Sequence, residues 1–241
     1  SDLVDNSISG PNVFFQTNVI GTTTLLNIAN KYDLRFHNIG TDEVYGETSP
    51  TYWLDLEKSL ALCNMNDLKN VPVIPSSPYS SSKASADLIV LSYCRTFGTK
   101  ATLSRCTNNF GKYQHPEKLI GTVISKILKD EKIPVYGKGN QKRHWIHVDE
   151  HNKAVMNILE NGIIGEIYNI APPIENWITN LELIYFILDY LDKPYDLVEH
   201  IVDRLGHDTT YFLFGTDFCK SKKFWQDDMK DTIEWYKENL I

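Results

Sequence analysis

Cysteine is scarce here and scattered. Cys63, Cys94, Cys106 and Cys219 stand far apart with no CxxC spacing, which excludes zinc ribbons and disulfide frameworks. With no basic-then-apolar leader at the N-terminus, a reducing cytoplasm is the expected setting. No apolar run approaches the roughly 20 residues that span a bilayer, so the chain reads as water-soluble. Positive charge is in the minority: 24 Lys and Arg against 31 Asp and Glu leave a formal charge of -7. Without a broad basic field, nucleic acid and anionic membrane surfaces are poor electrostatic partners, although a few local cations would suffice for a small anion. Internal repeats and low-complexity tracts are missing too. So is a glycine-rich phosphate turn: GxGxxG occurs nowhere, and a first βαβ unit of roughly 30 residues has no counterpart before SDLVDNSISG. Either the half of the fold that carries such a turn lies outside this sequence, which is the expectation, or the fold has lost it.

What is present is an ordinary globular composition, 42% hydrophobic and 23% charged, in which helix and strand signals alternate. The run Pro11 to Tyr32 carries one apolar stripe with Pro11 suited to a first turn, and LRFHNI follows as a short buried strand. A polar excursion from Glu47 to Pro78 ends in the breakers PSSP. Tyr79 to Phe97 reads as helix, KATLSRC as strand, Pro116 to Lys129 as helix, and PVYG and RHWIHV as strands. Glu150 to Asn161, Leu181 to Leu191 and Asp227 to Asn239 are further helices. This order predicts an α/β fold with a doubly wound, Rossmann-like parallel sheet, whose ligands gather beyond the carboxyl ends of the strands.

Two motifs stand out. TDEVYG puts a hydroxyl and two adjacent carboxylates at the end of a buried strand, where like charges repel; a turn capped by Asp42 would be the plain explanation. YSSSK sets Tyr79 and Lys83 four residues apart, on one helix face. A cation beside a phenol favours the phenolate and lowers a pKa normally near 10, which makes the pair a workable acid/base device. Alone, such a pair also occurs on many helix surfaces.

Thr41, Tyr79 and Lys83 in that order and context resemble the catalytic set of the short-chain dehydrogenase/reductase superfamily. TDEVYG, SSPYSSSKASAD, RCTNNFGKYQHPEKLI, PVYGKGNQKRHWIHVDEH, GEIYNIA, DRLGHD and TIEWYKEN, in sequence, are similar to the nucleotide-sugar 4,6-dehydratases of its extended branch. The likeness runs from Val4 to the C-terminus, and the Asp-Glu pair separates it from the epimerases.

The resemblance implies NAD as cofactor and a nucleoside-diphosphate glucose as substrate, dTDP-glucose first and UDP-glucose as the alternative. Tyr79 would take the proton from O4, Glu43 the proton from C5, Asp42 would protonate the departing C6 hydroxyl, and Thr41 would hold O4. Thr17, Tyr79, Lys83 and Asn109 would lie on the cofactor side. Asn108, Glu117, Lys118 and Arg143 would meet the sugar and diphosphate, and Leu119, Pro134, Val135 and Tyr136 the base. Asn180, and Arg204 and His207 of DRLGH, complete the expected substrate set. Residues 1–112 would be the remainder of the cofactor-binding domain and 113–241 mainly the nucleotide-sugar region, with segments returning to the first. A homodimer through the helices Pro11 to Tyr32 and Tyr79 to Phe97 is also implied.

The chain departs from the pattern in places. Asp2 and Leu3 stand where a serine and a histidine are usual, Thr210 where an arginine is common, and Gly40 and Gly121 where serine and proline are common. With the missing glycine turn, these keep open a non-catalytic relative that binds nucleotide sugar through the same fold.

Overall fold

The computed structural model describes residues 3–59, 69, 71–203, 208–216 and 221–239. An unforeseen helix, α1 (Leu3–Ser9), comes first. The run from Pro11 to Tyr32, expected as one helix, is divided into α2 (Pro11–Phe15), a π turn (Gln16–Ile20) and α3 (Gly21–Lys31). The strand β1 (Phe36–Thr41) follows, and then a 3-10 turn (Asp42–Tyr45). The polar excursion contains an unforeseen helix, α4 (Pro50–Ser59); the Ser49 hydroxyl accepts from the Tyr52 N–H at 3.1 Å at its start.

Helix α5 (Pro78–Phe97) is fixed at both ends by its sequence. Ser77 and Ser80 form a capping box, Pro78 takes the first turn, and Gly98 closes the helix at φ 68°, a left-handed conformation that glycine adopts without strain. Strand β2 (Ala101–Cys106) lies parallel to β1, from Phe36 opposite Ala101 to Thr41 opposite Cys106. On its other side runs β6 (Ile167–Ile170), also parallel. A strand covered on both faces reads as a continuous buried run, as β2 does. Gly40 belongs to this packing: a Cβ there would lie 2.6 Å from the Ser104 carbonyl oxygen, so the serine common at this place has no room here.

The second half has its own strands. β3 (Asn108–Phe110) pairs in parallel with β5 (Lys142–His147), and β5 pairs antiparallel with β7 (Trp177–Thr179). β4 (Ile133–Tyr136) pairs with β8 (Val198–Ile201). Helices α6 (Leu119–Leu128), α7 (Val148–Asn161), α8 (Asn180–Tyr190) and α9 (Trp225–Asn239) cover them. Ile120, Val123, Ile124 and Ile127 form the buried stripe of α6, which meets Leu183, Ile187, Met229 and Ile233. Each such side chain contributes about 1.5–3 kcal/mol by leaving water. A separate core under β1 and β2 joins Leu26, Val44, Trp53, Val90 and Leu103 to Phe212 and Leu213 from far along the chain. Because β1 and β2 end in register at Thr41 and Cys106, their carboxyl ends open to one place.

Candidate active site

Thr41 closes β1 in extended backbone and caps the 3-10 turn: its hydroxyl accepts from the Glu43 N–H at 3.4 Å and donates to Asp42 Oδ1 at 3.2 Å. The turn is buried. Tyr45 donates to Asn169 Oδ1 at 3.0 Å and sets its ring against Trp53, which anchors the two carboxylates from below. Asp42 is only 3% exposed, and its Oδ2 has no hydrogen-bond partner among the described residues. Burial pushes its carboxyl up to about 7, against the opposing pull of the Arg143 charge and the Thr41 hydroxyl. A carboxyl so placed can carry a proton at neutrality.

Tyr79 and Lys83 come from the first turns of α5, one helical turn apart. The Tyr79 N–H donates to Ser7 Oγ at 3.1 Å and the ring meets Phe14 edge-on. The Lys83 ammonium donates to the Ile39 carbonyl at 2.6 Å, and burial lowers its pKa against the raising effect of Asp87. Asp87 is fully buried and paired with Arg105 at 2.9 Å, and it also accepts from Asn38 at 3.2 Å. Arg105 lies over the Tyr45 ring at 4.7 Å, so this network ties the lysine's helix to the carboxylate turn.

These groups face one cavity of about 580 Å³, within the range of small-molecule sites. Thr41, Asp42, Glu43, Tyr79 and Lys83 all line it. Asn108 and Asn109 line it beyond the end of β2, each with a buried Oδ1 that lacks a partner among the described residues. Asn109 donates its amide to the Thr107 carbonyl at 3.1 Å, which leaves that oxygen turned to other use. The lining also includes Glu117, Lys118, Leu119 and Asn180, with Pro134, Val135 and Tyr136 from β4. Lys118 is the residue that precedes α6, and no side chain among the described residues caps that helix; its charge and the first N–H groups of the helix together suit an anion.

Arg143, also on the wall, is not a solvated charge. It is 7% exposed, stacks 4.4 Å from the Tyr211 ring and donates to the carbonyls of Lys142 at 2.8 Å and Asp208 at 3.0 Å. Thr210, in the arginine's usual place, pairs with Lys142 as an isolated bridge. Thr17 is the exception among the described candidates, exposed on the π turn and outside the cavity. Arg204, His207 and Asp2 lie outside the described residues, as does the side chain of Leu3.

Sequence reasoning missed several wall residues: Gln114, Gln141, Trp145 and Tyr211. Tyr211 donates to Asp208 Oδ2 at 2.6 Å, and burial, with the Glu43 and Asp208 charges nearby, holds its phenol above the ordinary range. It arrives on an irregular segment with no periodic signal; its only mark was the polar stretch after DRLGH. Cys106 is also on the wall, but burial pushes its thiol up to about 12, so it stays a neutral packing group.

A parallel sheet that delivers hydroxyl, carboxyl, phenol and ammonium groups to one cavity at its strand ends defines a Rossmann-like enzyme class. The sequence profile described as the NAD dependent epimerase/dehydratase family matches residues 2–171, and the chain belongs to that family. A dTDP-glucose 4,6-dehydratase of Mycobacterium tuberculosis is 38% identical, covering 98% of this chain and 69% of the relative. One from Escherichia coli is 36% identical over 98% of this chain and 70% of its own. The solved dTDP-glucose 4,6-dehydratase DesIV of Streptomyces venezuelae, with NAD bound, superposes with a TM-score of 0.88 at 37% identity, covering 99% of this chain and 71% of that one. At 22% identity and a TM-score of 0.84, a UDP-glucose 4-epimerase of Thermotoga maritima shares the fold.

Proposed function

We propose that the chain carries the catalytic and substrate-binding parts of a dTDP-glucose 4,6-dehydratase, which removes water from the sugar nucleotide to give a 4-keto-6-deoxy product. The observation that supports this most is that the Asp42–Glu43 turn lines one cavity together with Tyr79 and Lys83, with one carboxyl raised to about 7. Two neighbouring carboxyls driven to different protonation states can serve as acid and base in a single elimination.

NAD fits the residues present at its nicotinamide-ribose end, where Lys83, Tyr79 and Asn109, whose Oδ1 has no partner among the described residues, line the cavity. When bound, it would supply the hydride acceptor for C4 and the hydride donor for C6. Tyr79 takes the O4 proton, helped by the Lys83 charge, while Thr41 holds O4 by a hydrogen bond. The resulting 4-keto group acidifies C5–H. Glu43 removes that proton and Asp42 delivers its own to the C6 hydroxyl, which leaves as water. Glu43 then returns a proton to C5. Lys118 and Arg143 balance the diphosphate charge, and Asn108, Glu117 and Asn180 orient the sugar nucleotide. Leu119, Pro134, Val135 and Tyr136 enclose the base.

Residues 1–112 would then belong to the cofactor domain and 113–241 mainly to the nucleotide-sugar region, with β6 and the 211–214 segment returning. A homodimer is proposed through the α2–α3 and α5 surfaces, supported by the exposed Val13, Ile20, Leu25, Leu88 and Phe97 side chains; a monomer in sedimentation analysis would contradict it. No helix among the described residues is long and apolar enough to cross a membrane, in keeping with the proposed cytoplasmic setting. The function is tested by incubating the complete enzyme and NAD with dTDP-glucose and UDP-glucose in parallel and reading the 4-keto product in alkali. Faster turnover of the dTDP sugar is expected; no 4-keto product from either would refute the reading.

A further inference from the structure

Segment 111–118 brings Gln114, Glu117 and Lys118 to the cavity yet has no helix or strand of its own. Left loose, such a stretch would lose conformational entropy whenever a ligand ordered it. Its outer side is tied to the last helix. Tyr236 is 1% exposed, seated in the core beside α6, and its hydroxyl donates to the Gln114 carbonyl at 2.7 Å. Tyr113, at φ 64°, sits in a backbone region that side chains other than glycine enter rarely. That turn lays its ring over Trp235, with centroids 4.6 Å apart.

The inner side is held as well. The Gln114 amide donates to the Asn109 carbonyl at 2.8 Å, while its Oε1 is buried and partnerless among the described residues. Thr122 donates to the Pro116 carbonyl at 3.0 Å. Gly121 permits that approach, since a Cβ there would lie 3.0 Å from Pro116 Cα.

We propose that Trp235 and Tyr236 of α9 are positioning residues that clasp the 111–118 loop to the cavity and thereby set the affinity for the nucleotide sugar without touching it. This rests on the nucleotide-sugar reading above for its ligand, though not for the clasp itself. Tyr236→Phe removes only the donated hydrogen bond and keeps the ring in the core. Tyr113→Gly removes the ring tilted against Trp235; glycine takes the positive φ freely, and Tyr113 is 81% exposed, so the core loses nothing.

Two readouts on the full chain decide it: titration with dTDP, and trypsin cleavage after Lys112 and Lys118 without ligand. One neutral hydrogen bond corresponds to roughly three- to tenfold in an equilibrium. Each variant is expected to bind dTDP more weakly by about that factor, to be cut faster at the two lysines, and, in the complete enzyme, to raise KM while kcat holds. Wild-type affinity and wild-type cleavage in both variants would overturn the clasp. Should the wild-type chain itself ignore dTDP, the nucleotide-sugar reading fails, and the cleavage rates still decide whether α9 holds the loop.

Discussion

Replacing Asp42 by Asn keeps the shape of the side chain and removes a charge that the fold holds poorly. In the folded chain burial sets its carboxyl at about 7, against about 3.9 in an unfolded one. Between those values the native state keeps a proton that the unfolded chain has released. Stability therefore falls as the pH climbs from about 4 to 7 and stays low above it. The cost is roughly 2 kcal/mol at pH 5 and roughly 4 kcal/mol at pH 8, since a tenfold change in proton affinity is about 1.4 kcal/mol. At 3% exposure, solvent screening gives little relief. Asparagine does not titrate, so Asp42→Asn should gain about 2–3 kcal/mol on the wild type between pH 5 and pH 8. Urea unfolding of both proteins at the two pH values measures this. A stability difference that does not change with pH would refute the buried, raised carboxyl. The same variant should lose dehydration, having no proton for the C6 hydroxyl.

Other substitutions probe neighbouring parts. Tyr79→Phe should keep nucleotide-sugar binding and slow C4 oxidation by about 10²–10⁴-fold, the usual worth of general base catalysis, in a single-turnover assay of NAD reduction. Asp87→Ala would leave the Arg105 guanidinium, 1% exposed, without its carboxylate. A loss of about 3–5 kcal/mol in denaturant unfolding is expected, and a loss below about 1 kcal/mol would show that the pair is not a keystone.

The fold was legible where the sequence carries a strong period or a strong stop. LRFHNI gave the strand now seen at Phe36–Thr41, and the serine-proline start and glycine end of α5 left little choice of boundary. Short elements were hidden. IYNI is four buried residues, too few to show an alternation, and α4 has little apolar periodicity in a polar stretch. The π turn at Gln16–Ile20 leaves no sequence mark. In the site, motif residues at the end of β1, on α5 and just beyond β2 could be placed because strand ends converge in such folds. Tyr211 and Gln141 could not, since they reach the wall from irregular segments distant in sequence.

The central claim is that Glu43 takes the proton from C5 while Asp42 supplies the one that leaves with the C6 oxygen. Turnover in D2O by the complete wild-type enzyme and by Glu43→Gln tests it directly. The wild type should place one deuterium at C5 of the product and none at C6, and Glu43→Gln should bind the sugar nucleotide but form no 4-keto-6-deoxy product. Turnover by Glu43→Gln at the wild-type rate, with deuterium still entering C5, would contradict the assignment.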